Sequence, residues 1–303
     1  MHSQLNNDPC LSGSDSTRAL PSRLKHMSVI CGQPALPINS ELKTVPVFAN
    51  GCEVGYVYED KHARYCHIMN VLPTHRNLPG DAQANELFEI LVRLLKDHAF
   101  TFDDTIRTWF HLDHILDWYP AFNAVRTAFF TKHGLFERLI PASTGVGISN
   151  LAGAALSGGL WAVHPKLDTP CIQTVPSPLQ CTALDYQSSF SRAVELSFPK
   201  HRSLLVSGTA SIAMNGQTAH LDDPASQIDL TMRVMTALLR SRGMDWSDVT
   251  RTVAYFQNDQ DRPLLDAYVC EHSLPKFPVA MVSATICRAD LLFEIEVDAI
   301  HST

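Results

Sequence analysis

The chain repeats itself at a fixed offset. Gln83 recurs as Gln227, Leu94-Leu95 as Leu238-Leu239, and Asp104-x-x-Arg107-Thr108 as Asp248-x-x-Arg251-Thr252, every pair 144 residues apart without a gap. Each copy reads as a long amphipathic segment, a break, an Asp-x-x-Arg-Thr strand start, a second helical segment and a last apolar strand. Such self-similarity marks a duplicated unit and restricts the chain to two copies of one scaffold. The copies are unequal. In the second, the last strand is Leu291-Leu292-Phe293-Glu294-Ile295-Glu296-Val297, whereas its counterpart Ala154-Ala155-Leu156-Ser157-Gly158-Gly159-Leu160 has no acid. A frame kept in both halves, with charge in only one, predicts a single active site.

A length of 303 residues suits two domains of ordinary size, each able to bury a core. The pattern divides them into a polar leader (1–42), a first domain (43–164), a Pro-rich connector (165–176) and a second domain (177–303). Strands are expected over 45–50, 53–59 and 107–112, with helices over 82–97 and 119–133. Leu87, Ile90, Leu91, Leu94 and Leu95 give the first helix its three- and four-residue spacing. Gly-rich residues 143–147 lead to a closing strand that ends at Val163. In the second copy, strands are expected over 190–196, 203–212, 250–256, 279–285 and 291–300, with helices over 224–242 and 263–272. Two strand-rich sheets, each covered by two helices, make an α+β protein.

Net charge −7 without a basic cluster argues against nucleic acid as a partner. No apolar run reaches the roughly 18 residues that would span a bilayer, and the polar N-terminus lacks a signal-peptide pattern. A cytoplasmic, membrane-free protein is expected. The eight cysteines form no C-x-x-C pair and read as reduced and mostly buried. His111-x-x-His114 has loose metal-ligand spacing without the Glu of H-E-x-x-H, so strand-end histidines are the better reading. Gly145-x-Gly147 completes no dinucleotide fingerprint, and no G-x-S-x-G is present.

Ser189-Phe190-Ser191-Arg192-Ala193-Val194, Leu205-Val206-Ser207-Gly208-Thr209, Gln227, Asp248-x-x-Arg251-Thr252 and Phe293-Glu294-Ile295-Glu296 resemble the YjgF/Rid pattern. From about residue 45 the chain resembles the chorismatase family. The matching blocks are Arg107-Thr108-Trp109-Phe110, Trp118-Tyr119, Phe122-Asn123-Ala124-Val125-Arg126, Pro141-Ala142-Ser143-Thr144-Gly145, Ser177-Pro178-Leu179-Gln180-Cys181 and Cys287-Arg288-x-x-Leu291-Leu292-x-Glu294. The resemblance implies tandem YjgF/Rid-like domains, one degenerate, in a monomer or homotrimer. It also implies a cofactor-free, metal-free reaction in which chorismate loses its enolpyruvyl group as pyruvate. The partner product is 3-hydroxybenzoate, with 4-hydroxybenzoate or a dihydroxycyclohexadiene carboxylate as alternatives. An enamine or imine deaminase is the runner-up, disfavoured because Phe277-Pro278 is followed by Val279 rather than Arg. A non-catalytic ligand-binding regulator is a further alternative.

Cleaving an enol ether requires a proton delivered to the terminal methylene carbon, hence a general acid still protonated near neutral pH. Alternation along the last strand puts Phe293, Ile295 and Val297 on one face and Leu292, Glu294 and Glu296 on the other. Burial and the neighbouring Glu296 would raise the Glu294 pKa, which makes Glu294 the expected acid and Glu296 a structural or rim residue. Cys287 resembles the hydroxybenzoate-forming subgroup and is expected to steer the product. Arg192 replaces the Gln of the YjgF pattern and is expected to grip a substrate carboxylate. Phe190, Ser207, Gly208, Thr209 and Tyr186 complete the expected binding wall, by ring contact and backbone N–H groups.

Overall fold

The computed structural model describes residues 43–303; the expected leader, 1–42, lies outside the described residues. The first half contains β1 (Val45–Ala49), β2 (Cys52–Glu59), β3 (Ala63–Val71), α1 (Gly80–Asp97), β4 (Thr105–Leu112), α2 (Ile115–Lys132), β5 (Ala142–Gly147) and β6 (Leu156–Pro165). The second contains β7 (Cys171–Val175), β8 (Ala193–Ser197), β9 (His201–Ala210), α3 (Pro224–Ser241), β10 (Val249–Phe256), α4 (Arg262–Glu271), β11 (Ala280–Ser283) and β12 (Phe293–Ser302). The first sheet runs β1-β2-β3-β6-β4-β5, and the second runs β7-β8-β9-β12-β10-β11. The orders match position for position. In each, one outer pair (β4 with β5, β10 with β11) is parallel and the other pairs are antiparallel. The duplicated α+β architecture expected from the repeat is therefore present.

The repeated residues do equivalent work. The Gln83 amide donates to the carbonyls of Arg76 and Leu78 and accepts from the Ala155 N–H. Gln227 donates to His220 and Asp290 and accepts from Leu292. Each clamps the loops that precede its helix and its last strand, where buried backbone groups must find partners. Asp104 bonds His164 at 2.8 Å, and Asp248 bonds His301 at 3.0 Å. The apolar stripe of α1 enters the first core and that of α3 the second, which also receives Phe293, Ile295 and Val297.

Three stretches depart from the sequence reading. β3 was not expected as a strand, because Tyr65, Cys66, His67, Ile68 and Met69 are buried on both faces and show no alternation. The expected connector contains β7, which pairs with β8 along its whole length, so residues 171–175 belong to the second sheet. The Gly-rich 143–147 stretch is not a lead-in but most of β5. It continues into the other half through bridges Ala142–Ser191 and Gly147–Thr285. A Cβ on Gly147 would lie 2.7 Å from both Ile115 and Thr285, so the close approach requires glycine there.

The halves share a further apolar cluster: Ala63, Tyr65, Ile106, Ala142 and Val163 from the first meet Val194, Leu196 and Leu205 from the second. The cysteine expectation is only partly met. Among the described cysteines Cys66 is buried, Cys181 and Cys287 are half-buried, and Cys52, Cys171 and Cys270 are exposed, at strand or helix ends where packing makes no demand on them. Among the described residues no helix is long and apolar enough to cross a membrane.

Candidate active site

A cavity of about 1000 Å³ opens between the halves. The first half supplies Tyr119, Asn123 and Arg126 from α2 and Gly145 from β5; the second supplies Tyr186, Phe190, Arg192, Gly208, Cys287 and Glu294. Antiparallel pairing puts Glu294 opposite Tyr255 on β10 and Ala210 on β9, so the carboxyl is carried by a central strand. It is 5% exposed and makes no hydrogen bond among the described residues. Burial, then the charge of Glu296, pushes its pKa up to about 8, with Arg192 opposing. A carboxyl held neutral at pH 7 beside a cavity can donate a proton.

Glu296, two residues on, has the opposite fate. Arg107 donates to it at 2.7 Å, Trp109 Nε1 at 3.1 Å, and Thr144 Oγ1 and Arg251 also bond it. Its pKa is held down to about 2: burial raises it, but the charges of Arg251 and Arg107 and the hydrogen bonds from Thr144 and Arg251 outweigh that. Glu296 is completely buried and is not a rim residue. Arg107 and Arg251 are the arginines of the repeated Asp-x-x-Arg-Thr motif. Both converge on one carboxylate from opposite halves of the molecule.

The expected wall residues divide. Arg192 lines the cavity at 4% exposure, with Nε and Nη2 donating to the Cys181 carbonyl at 3.0 and 2.9 Å. Its guanidinium lies 5.3 Å from the Tyr186 ring centre and 5.6 Å from that of Phe190, so both rings are wall residues. Gly208 also lines the cavity, but not through its N–H, which donates to Thr144 Oγ1 at 3.0 Å. Its part is steric: a Cβ there would lie 2.0 Å from a Glu294 carboxyl oxygen. Ser207 and Thr209 lie outside the cavity wall. The Ser207 hydroxyl accepts from the Ser143 N–H at 2.9 Å and donates to the Ser191 carbonyl, joining the halves, while Thr209 bonds the Ser207 carbonyl. Strand alternation turns both away from Gly208 and Ala210, their cavity-lining neighbours. Cys287 lines the cavity, and burial pushes its thiol up to about 12, so it faces the ligand space as a neutral, small apolar group.

Arg126 was missed as a site residue. It is 1% exposed, its Nη2 donates to Asn123 Oδ1 at 2.6 Å, its Nε has no partner, and no carboxylate pairs with it among the described residues. The signal was available: a cation in the core-facing register of Phe122, Phe129 and Phe130 on α2 is rare unless an anion meets it. His111 is buried and His114 is exposed at the start of α2; among the described residues no group of His, Cys, Asp or Glu could hold a metal ion.

Residues 181–301 match the family model described as Endoribonuclease L-PSP. The chain is 25% identical over 213 residues to a chorismatase of Streptomyces hygroscopicus, covering 63% of this chain and 60% of that one. It is 26% identical over 215 residues to a chorismatase of Streptomyces rapamycinicus, covering 63% and 62%. It thus spans less than two thirds of the length of these relatives. A chorismatase crystal structure superimposes with a TM-score of 0.66 at 20% identity, over 84% of this chain and 80% of that one. The chain has the chorismatase fold. Within that fold the cavity sits where the two halves meet, and Glu294 comes from the second.

Proposed function

We propose that this protein cleaves the enolpyruvyl ether of chorismate, releasing pyruvate and 3-hydroxybenzoate. The observation that carries the reading is a buried, neutral carboxyl, Glu294, facing a cavity lined by guanidinium groups that have no carboxylate partner among the described residues. A dianionic substrate fits that imbalance. Arg126 and Arg192, one from each half, would each take a carboxylate, since the fork of donors on a guanidinium matches the two oxygens.

Glu294 delivers its proton to the terminal methylene carbon of the enol ether, and the resulting oxocarbenium ion is stabilised by the Glu294 carboxylate left behind. A neighbouring ring hydroxyl then displaces the side chain as pyruvate, and the ring isomerises to hydroxybenzoate. The net reaction consumes no water. Trapping by water would instead give the dihydroxycyclohexadiene carboxylate, with one water consumed. The half-buried thiol of Cys287 on the cavity wall supports the first route, because a small apolar group beside the cation keeps water from it.

Purified protein incubated with chorismate should release pyruvate, followed by a lactate-dehydrogenase-coupled assay, with 3-hydroxybenzoate appearing in step on chromatography. Chorismate recovered intact after prolonged incubation would sink this reading in favour of a ligand-binding role.

A further inference from the structure

The cavity wall holds more positive charge than a dianion requires. Besides Arg126 and Arg192, Arg288 lines the cavity, and none of the three has a carboxylate partner among the described residues. They alternate with two aromatic rings. Arg126 lies 5.8 Å and Arg192 5.6 Å from the Phe190 ring centre; Arg192 lies 5.3 Å and Arg288 5.1 Å from that of Tyr186. The order is cation, ring, cation, ring, cation. Exposure rises along the ladder: Arg126 and Arg192 are buried and Arg288 is half-buried, so the third rung lies nearest solvent. Its Nη1 donates to the Gly216 carbonyl at 2.9 Å, which fixes its place and leaves the remaining N–H groups for a ligand.

Ring contacts of this kind stabilise each cation and do not neutralise it. Three like charges in a cleft of low dielectric attract an anion more strongly than the same charges in water. The protein as a whole carries net charge −7, so an incoming anion is repelled except where such a cleft focuses the field.

We propose that Arg288 is a capture site for cyclic dicarboxylate anions: it receives one carboxylate at the mouth and passes it inward to Arg192 and Arg126. This rests on the dianionic substrate proposed above. It differs from that proposal in assigning Arg288 to association and not to holding the reacting substrate.

The test is stopped-flow binding of isophthalate, a planar aromatic dianion that cannot react, followed by intrinsic fluorescence. It is run alongside single-turnover pyruvate release from chorismate in the same proteins. Arg288→Gln should lower the association rate constant about tenfold at low ionic strength, and the gap should close at about 0.5 M salt. Arg288→Lys, which keeps the charge, should retain most of the rate. The fall in association should exceed any fall in the single-turnover rate by at least about fivefold, as steering acts before chemistry. An unchanged association rate in Arg288→Gln, an equal loss in both measurements, or no isophthalate binding to the wild type would each overturn the assignment. If the wild type binds isophthalate with this charge dependence but releases no pyruvate, the capture site stands and the proposed reaction falls.

Discussion

In the first half, β1 and β2 are joined by the tight turn Asn50-Gly51, with Gly51 at φ 77°. In the second, the equivalent connection between β7 and β8 carries Tyr186, Phe190 and Arg192, a whole cavity wall. The helices differ in the opposite sense: α2 has 18 residues and supplies Tyr119 and Arg126, whereas its counterpart α4 has 10. Pairing puts Ser157 opposite His111 in the first half, where Glu294 lies opposite Tyr255 in the second. A site built between two copies needs one wall from each. The second half could therefore have a shorter helix, and the first a shorter connection, without harm to the cavity between them.

The sharpest way to break this comparison is to remove the acid. Glu294→Gln should lower pyruvate release by about 10²–10⁴-fold, the usual range for general acid catalysis, while isophthalate still binds. The wild-type rate should hold below about pH 7 and fall as pH rises through about 8, where the acid ionises. The stability change has a definite sign. A carboxyl whose folded pKa is raised loses stabilisation as pH rises from its unfolded value to its folded one. Glu294→Gln should therefore melt above the wild type at pH 8, with the gap closing in acid. Activity within about threefold of wild type would remove Glu294 from the chemistry.

A second break targets the carboxylate held by both halves. Glu296→Gln leaves Arg107 and Arg251 without their buried charge partner, and should cost about 3–5 kcal/mol in denaturant unfolding. In the folded fraction, the loss of a like charge should lower the Glu294 pKa, so the basic limb of the rate profile should move to lower pH. A profile that stays in place would mean that burial alone keeps Glu294 protonated.

The two walls can be compared directly. Arg126→Gln in the first half and Arg192→Gln in the second should each raise KM for chorismate by roughly 10- to 100-fold, more than they lower kcat, as expected for a lost charge-assisted contact. An effect from only one of them would show that a single half binds the substrate. The smallest expected effect is in product choice. Cys287→Ala should leave pyruvate release nearly intact and shift product from 3-hydroxybenzoate towards the diene, since a bias of about 1.4 kcal/mol changes a branching ratio tenfold. An unaltered ratio would leave the Cys287 thiol a packing role only.

The repeat, the helices with a strong apolar period and the acid-bearing last strand were all legible in the sequence, because they depend on spacing within one segment. Gln83 and Gln227 announced the duplication because each serves its own half, through hydrogen bonds to nearby loops. Glu294 could be read from strand alternation because a period of two puts it opposite the core-facing Phe293 and Ile295. Tertiary structure alone decided the rest. No local pattern marks Arg126 as a neighbour of Phe190, or Arg107 as a partner of Glu296 across 189 residues. It was also packing that reduced Gly208 to clearance for the acid and turned Ser207 into a staple between halves. The repeated arginines look equivalent along the chain, but Arg251 shares its half with Glu296, whereas the first copy alone would leave Arg107 without this carboxylate. Only when the two sheets pack do both reach Glu296, because a buried charge takes its partners from whichever half brings them within hydrogen-bond reach.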